Sequence, residues 1–596
     1  MQINYKDIRL ERVLFVVNAI ASAMVVTTFV LLYGFDHALL SATILYIIQV
    51  VLLIFFVLEK VLRFFNSESR VQYLQGNWFE LALLIALLIA VIGAGRWFAS
   101  EREQASYVRH FAVGIYLVLQ VIIKLCRTSV NLAASGRNPT KTLIASFVVL
   151  ILSGAGLLML PAATRNGENL DLVDALFTST SATCVTGLVV RDTGQYFSFM
   201  GQLVILTLIQ LGGLGIVIFG AVLALLLGQA FSLRESVAMQ DLLSTRTLSR
   251  IGNMIAFIFV GTIFIEGLGA VGLYGMWKSI PGGSGPFNQW FCSIFHSISA
   301  FCNAGFSLFD TSFIDYNTKW QIYFIICPLI ILGGLGFIVL YDLANLLVDR
   351  IKRILKKLFS KQYRFSMEAP KRMQLQTKVV LVVSAALIVF GALTILLFEK
   401  YSGNNHSGNG ISIPNAFFQS ITARTAGFNT VRIDKLTPSS RFILILLMFI
   451  GGSPGSTAGG IKTITFAVII MTAIAALRKR SEVEMFKRSI RIVVVGRAIT
   501  VTLLFVAVLF ITSLTLSITE HSNGFTMSDI IFESGSALGT VGLSTGITHD
   551  LTTTGKLIII AVMLIGRLGP LTLLAALTFN LKPVKYSYPD EALIVG

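Results

Sequence analysis

The sequence predicts an all-α polytopic membrane protein: four helix–pore-loop–helix repeats in pseudo-fourfold arrangement around one pore, plus an amino-terminal bundle of transmembrane helices. Three observations predict it. Apolar runs near bilayer length recur along the chain, charge is scarce and its basic part is concentrated in a few loops, and one polar, glycine-centred run occurs four times at nearly constant spacing.

The apolar runs begin with Val13 to Tyr33, Ala38 to Leu58, Phe79 to Ile92, Phe111 to Ile123 and Leu143 to Leu160. A bilayer core of about 30 Å takes about 20 helical residues to cross. Only 13% of the 596 residues are charged, about half the share of a soluble chain. The opening "MQINYKDIRLER" is too polar and charged for a removable signal peptide.

Several function classes are excluded. The five cysteines form no CxxC pair and the six histidines no HExxH, so neither a disulfide scaffold nor a zinc site is expected. No GxGxxG or GxxxxGK[ST] occurs, so no nucleotide or other cofactor is expected in this chain. Intramembrane carboxylates such as Glu266 read as isolated, without the convergent groups of an enzyme. The net charge of +17 reads as positive-inside bias in the bilayer, not nucleic-acid binding.

Ten Lys or Arg lie between Arg350 and Lys378, seven between Arg478 and Arg497, and Arg234, Arg246 and Arg250 mark a third basic loop. Basic loops are expected on the cytoplasmic side of the plasma membrane. Both termini are then cytoplasmic, with twelve spanning helices, four of them before residue 135.

The repeat starts after that point. Its centres are "ATCVTGLVV" at Gly187, "AFCNAGFSL" at Gly305, "ARTAGFNTV" at Gly427 and "ALGTVGLST" at Gly542, spaced by 118, 122 and 115 residues. A short helix-like stretch precedes each run ("LVDALFTSTS", "WFCSIFHSIS", "IPNAFFQSIT", "MSDIIFESGS"). A helix read as opening on glycine follows, 25, 28, 24 and 24 residues after the run glycine. The expected units are 1–135 (accessory four-helix region), 136–250, 251–377, 378–497 and 498–596.

Non-helical backbone at membrane depth is tolerated only inside protein or along water. Four equivalent loops can surround one axis, and rings of their carbonyls can replace a cation's hydration shell. The candidate filter residues are Cys184, Val185, Thr186 and Gly187; Cys302, Asn303, Ala304 and Gly305; Arg424, Thr425, Ala426 and Gly427; and Gly539, Thr540, Val541 and Gly542. Glycine permits the φ values that aim carbonyls inward. Each preceding half-helix would point its partly negative carboxyl end at the axis.

Residues 136–596 resemble the membrane subunits of the Ktr/Trk/HKT potassium-uptake superfamily, most of all the Ktr-type (KtrB-like) subunit. The resemblance rests on "LFTSTSATCVTGLVVRDT", "FHSISAFCNAGFSLF", "FQSITARTAGFNT", "GGSPGSTAGGIKT", "FESGSALGTVGLSTGIT" and "YPDEALIVG". It implies potassium ion as substrate, held by filter backbone carbonyls, a homodimer, and a cytosolic nucleotide-binding (RCK-type) ring that gates the pore. It leaves open a channel-like pore or a sodium- or proton-coupled symporter. The absence of a membrane-centre carboxylate pair favours the channel.

"GGSPGSTAGGIKT" interrupts the second helix of the third repeat. A helix interior loses about 1 kcal/mol per Gly and about 3 for Pro, so this stretch is expected to unwind. The resemblance implies a gating loop below the filter, with Gly455, Ser456, Thr457, Ala458, Gly459 and Gly460 as gate residues and Lys462 anchoring its far end. Arg567 joins them: Gly213, Gly334 and Gly452 hold its place in the other repeats. At about 10 Å and an effective dielectric near 20 it would repel a cation by roughly 1.7 kcal/mol.

Arg424 is expected to point behind its loop, with Glu533 as partner. Asn303 is expected to brace loop 2, and His296 to be structural. In the amino-terminal region Phe56, Glu59 and Arg63 stand at F-x-x-E-x-x-x-R spacing and faintly resemble part of a voltage-sensor domain. The fourth helix offers only Arg109, Lys124 and Arg127, not arginine at every third position, so an accessory bundle is expected.

Overall fold

The computed structural model describes residues 6–35, 40–97, 139–215, 251–277, 285–359, 372–401, 411–480 and 482–570, and scattered positions between 109 and 120. The 216–250 loop, Lys124, Arg127, most of the 350–378 basic loop beyond residue 359, and the carboxyl end therefore lie outside the described residues.

The amino-terminal region contains α1 (Ile8–Tyr33), α2 (Ala42–Asn66), α3 (Arg70–Gly76) and α4 (Trp78–Trp97). The Asp7 carboxylate caps α1 by accepting from the Arg9 and Leu10 N–H groups. Ala21, Val25, Leu52, Phe56 and Leu87 form its core. Several of its polar groups pair with one another, which lowers the cost of placing them in lipid. Asn18 donates to Glu59 at 2.7 Å, Arg63 pairs with Glu59 at 3.0 Å, and Lys60 pairs with Glu80.

The rest is built from four units of the same plan. The first helices are α5 (Pro139–Leu158), α8 (Ile251–Leu273), α12 (Leu375–Tyr401) and α16 (Ile492–Thr519). They are apolar nearly all round. Val260, Phe264, Leu503 and Phe510 project from them, exposed, where only lipid suits them.

The half-helices follow: α6 (Leu172–Thr183), α9 (Pro286–Phe301), α13 (Ile413–Thr422) and α17 (Met527–Gly539). Local sequence starts each one. Asp171 and Thr526 cap α6 and α17 through side-chain oxygens, and proline occupies the first turn of α9 and α13.

The second helices are α7 (Phe199–Leu214), α10 (Cys327–Leu335) continued by α11 (Phe337–Phe359), α14 (Pro438–Phe449) continued by α15 (Thr463–Leu477), and α18 (Thr553–Leu568). Here one expectation is corrected. The "LGGLG"-type glycines close the first segment of the helix instead of opening it. The second span of repeat 3 is interrupted at residues 450–462, which separate α14 from α15, as expected, and that of repeat 2 is broken too, α10 and α11 meeting at 104°. Among the described residues five helices are long and apolar enough to cross a membrane, or six with the bent pair, and five shorter apolar helices accompany them. The backbone explains the stops of α7, α10 and α18: Gly215, Gly336 and Gly569 cap them with φ between +82° and +86°, which ends a right-handed helix.

Each half-helix packs on the first helix of its own unit and on the second helix of the unit before it: α9 on α7, α13 on α10, α17 on α14, and α6 on α18. The last contact returns to the first unit, so the four close into a ring. Polar pairs at equivalent places stitch three of these seams. Arg441 meets Asp529 at 3.2 Å, Lys556 meets Asp174 at 2.7 Å, and the Tyr323 hydroxyl donates to Asn415 at 2.7 Å.

An unexpected hairpin, β1 (Val483–Met485) with β2 (Arg488–Ile490), stands within the second basic loop. Its two turn residues, Phe486 and Lys487, both have positive φ, as a tight two-residue hairpin demands.

Candidate functional site

The four run glycines meet. A Cβ built on Gly187 would lie 2.4 Å from the Ala304 carbonyl oxygen, on Gly305 2.9 Å from that of Ala426, on Gly427 2.5 Å from that of Val541, and on Gly542 2.2 Å from that of Thr186. Each loop thus lays the carbonyl before its glycine against the glycine of a neighbour, and the cycle closes. No side chain fits there, and φ at these glycines runs from +71° to +92°.

The strain is not confined to glycine. Val185, Asn303, Thr425 and Thr540, each two residues before the glycine, also have positive φ. Such a conformation costs about 1–3 kcal/mol per non-glycine residue. It is held by bonds back to the half-helix. Thr186, Ala304 and Val541 donate N–H to Ser181, Ser299 and Ser536 oxygens five residues earlier, at 2.7–2.8 Å, and Ala426 donates to Thr422, four earlier. The same hydroxyl residues act again. Ser181 and Ser536 accept from the Gly187 and Gly542 N–H groups, while Ser299 and Thr422 donate to the Phe306 and Phe428 carbonyls. Donors thereby turn back to the helix, and none of the carbonyls of the sixteen candidate residues accepts a hydrogen bond among the described residues.

Different side chains buttress each loop from behind. Behind loop 2, Cys302 reaches Gln210 (3.5 Å) and Glu266 (3.8 Å), and Gln210 donates to Glu266 at 3.1 Å. Glu266 is therefore not isolated, as the sequence suggested; Gln210 comes from the first unit and Cys302 from its own. His296 accepts the Leu308 N–H on Nε2, contacts Cys292 O through Nδ1 at 2.8 Å and stacks on Trp277. This is a structural role, as expected. The Asn303 amide, oriented to satisfy both its atoms, donates to Ile330 and Ala300 carbonyls.

Arg424 does point behind loop 3, but Glu533 is not its partner. Glu533 accepts from Ser544 at 3.0 Å and from Thr548, bracing its own loop. Arg424 instead donates to Ser384 O and Oγ and to Gly451 O, at 3.2–3.4 Å.

Residues 450–462 are extended and turned, without helix. Pairing with their own flanks holds them: Gly451 N–H donates to Ile461 O, Ile461 N–H to Phe449 O, and Thr463 N–H to Gly452 O. Ser453 N–H reaches Gly334 O, and Gly455 O accepts from Phe337 N–H. Thr457 Oγ1 donates to Phe301 O at 3.5 Å, and a Cβ on Gly459 would meet Thr540 Oγ1 at 2.1 Å. Lys462 Nζ donates to Ala458 O at 2.6 Å. From the fourth unit, Arg567 donates to the Thr457 carbonyl and to the Gly212 and Gly213 carbonyls of the first. The segment thus lies against units 2 and 4 directly and against unit 1 through Arg567.

On the other side of the glycine ring a mouth of about 230 Å³ opens, lined by all four glycines and by Asp192, Asp310 and His549 among others. Burial is the main cause that holds the Asp192 carboxyl above the usual carboxylate range. The Gln195 N–H opposes it, and the charge of Asp310 adds to it. Sequence reading passed over these two acids, which lie five residues beyond Gly187 and Gly305 and so share a repeat position.

The sequence of residues 108–583 matches the family described as TrkH, cation transport protein. The match begins inside the amino-terminal region that the repeats leave out. The chain is 37% identical over 469 residues to the Ktr system potassium uptake protein B of Bacillus subtilis, and 35% identical over 465 residues to the potassium/sodium uptake protein NtpJ of Enterococcus hirae. Either alignment covers 77% of this chain and 97% of the relative. The crystal structure of the potassium transporter TrkH from Vibrio parahaemolyticus shares the fold, with a TM-score of 0.56 at 19% identity over 85% of this chain and 97% of that one. The chain belongs to the TrkH family of cation transport proteins.

Proposed function

We propose that this protein takes up potassium ions across the plasma membrane through a gated, channel-like pore. The observation that carries the reading is the closed cycle of four loops whose carbonyls have no protein partner among the described residues. Buried carbonyls without partners are costly, and a dehydrated cation is the partner they suit. Four half-helices end at the cycle and add partial negative charge. Asp192 and Asp310 concentrate cations at the mouth.

Residues 455–460 are the gate, and Arg567 is its latch. The loop blocks the route below the filter while Thr457 O is bonded to the guanidinium. Both termini and the basic loops face the cytoplasm, where a nucleotide-binding ring docks under a homodimer and moves the gate. Nothing in this chain is assigned a catalytic role.

Sodium or proton coupling is the second reading. The relative named a potassium/sodium uptake protein favours testing sodium first. Potassium flux into liposomes holding the purified protein, with and without a sodium or pH gradient, separates the two. Passive potassium-selective flux supports the channel. Flux that needs a gradient replaces it with the symporter, and no cation flux removes both.

A further inference from the structure

The third loop is one residue shorter than the others. Ser179, Ser297, Ser420 and Ser534 hold the same place on their half-helices: the first three donate to first-helix carbonyls of Ile151, Glu266 and Ile388. Eight residues separate this serine from the run glycine in loops 1, 2 and 4, but seven in loop 3. In the longer loops the extra residue brings a carbonyl against the second helix. A Cβ on Gly212, Gly333 or Gly566 would meet the oxygen of Thr183, Phe301 or Leu538 at 1.9–2.2 Å. On Gly451 it would meet Gly459 O of the gate segment instead.

The space left by the missing residue is taken by the Arg424 side chain and a small void. The guanidinium is buried, bonds to Ser384 and to Gly451 O, and has no carboxylate partner among the described residues. Its Nε has no hydrogen-bond partner. The void beside it, with about 20 Å³ open to the centre of a water molecule, is lined by Arg424, Ser384, Ile421, Gly334 and Gly452. That is room for about one water.

We infer that Arg424 is a positioning residue that couples the filter to the gate. Its backbone belongs to loop 3, and its side chain holds the root of the gate segment at Gly451. Displacing that root pulls on Thr425 and Gly427, so potassium-over-sodium selectivity depends on the state of the gate. This rests on the reading of loop and segment proposed above. The forked guanidinium reaches three acceptor oxygens on Ser384 and Gly451 at once, which a lysine ammonium does not reproduce.

The test measures potassium and sodium flux in liposomes for the parent, Arg424→Lys, Arg424→Met and Ser384→Ala, each with an intact gate and with residues 455–460 deleted. In the parent, selectivity is expected to fall at least threefold on deletion. In both Arg424 variants it is already lowered about tenfold with the gate intact, and deletion changes it by less than a factor of two. Ser384→Ala, which alters neither loop nor gate, shifts it the same way by about threefold and decides the matter if the Arg424 variants do not fold. A parent whose selectivity ignores the deletion, or folded variants that keep the parent's ratios, overturn the coupling. A parent that conducts no potassium overturns the underlying function instead.

Discussion

Loops 1, 2 and 4 and loop 3 solve the same problem in two ways. In the first three, a half-helix carbonyl lies directly on a glycine of an α-helical segment. In the third, the chain is a residue short, the facing helix is broken, and a buried cation spans the gap. A close backbone-to-backbone contact is rigid, because neither side can shift without leaving a void. A side chain holding a carbonyl of a non-helical segment can let go and return. Three quarters of the ring are thus held backbone to backbone, and one quarter through a side chain.

The largest effect is expected where the ring is tightest. Gly187→Ser adds atoms within 2.4 Å of Ala304 O at a φ of +92°. Potassium-to-sodium selectivity in liposomes should drop at least tenfold. An unchanged ratio in the folded variant would mean the cycle is not the filter. Next is deletion of residues 455–460, which should raise basal potassium flux several-fold and reduce its dependence on the cytosolic ring. A folded deletion variant no faster than the parent would show that this segment is not the gate. Arg567→Gln removes the charge-assisted bonds to Thr457 and Gly212. A smaller rise in basal flux with selectivity kept is expected, and a fall in flux would contradict the latch.

A pH effect should be modest. With the Asp192 carboxyl raised by burial, it takes up a proton at a higher pH than an ordinary carboxylate. Initial uptake at low ionic strength should therefore decline by about twofold through steering alone as pH falls through that raised value. Asp192→Asn should start lower and lose the dependence. The smallest effect is expected at Gly261, where a Cβ meets nothing within 4 Å. Gly261→Ala should leave flux intact and change stability by no more than about 1 kcal/mol in thermal unfolding. If it abolished transport, glycine contacts would be a poor guide to function in this chain.

Much of the site was legible before the fold. The four run glycines, the half-helices and the unwound 450–462 stretch are local signals: glycine and proline change backbone energetics wherever they stand. The equal spacing of the runs announced that the four loops do one job. Glu266 and Glu533 were misread for the opposite reason. Glu266 looked isolated because Gln210 and Cys302 lie 56 and 36 positions away along the chain. Glu533 looked available to Arg424 because nothing in the sequence ranks Ser544 and Thr548 above a cation.

What the sequence determined by itself is therefore the membrane class, the repeat and the glycine centres, because bilayer length, charge exclusion and backbone freedom act on short windows of chain. Only the tertiary structure decided which carbonyl faces which glycine and where the second helices break. It alone placed Arg567 on units 1 and 3 at once and left Arg424 holding Gly451 at the start of the 450–462 segment. Those outcomes depend on ring closure, which brings residues over a hundred positions apart within hydrogen-bond reach. A hydrogen bond is selected by distance and angle in the folded ring, and no local window of the sequence carries either.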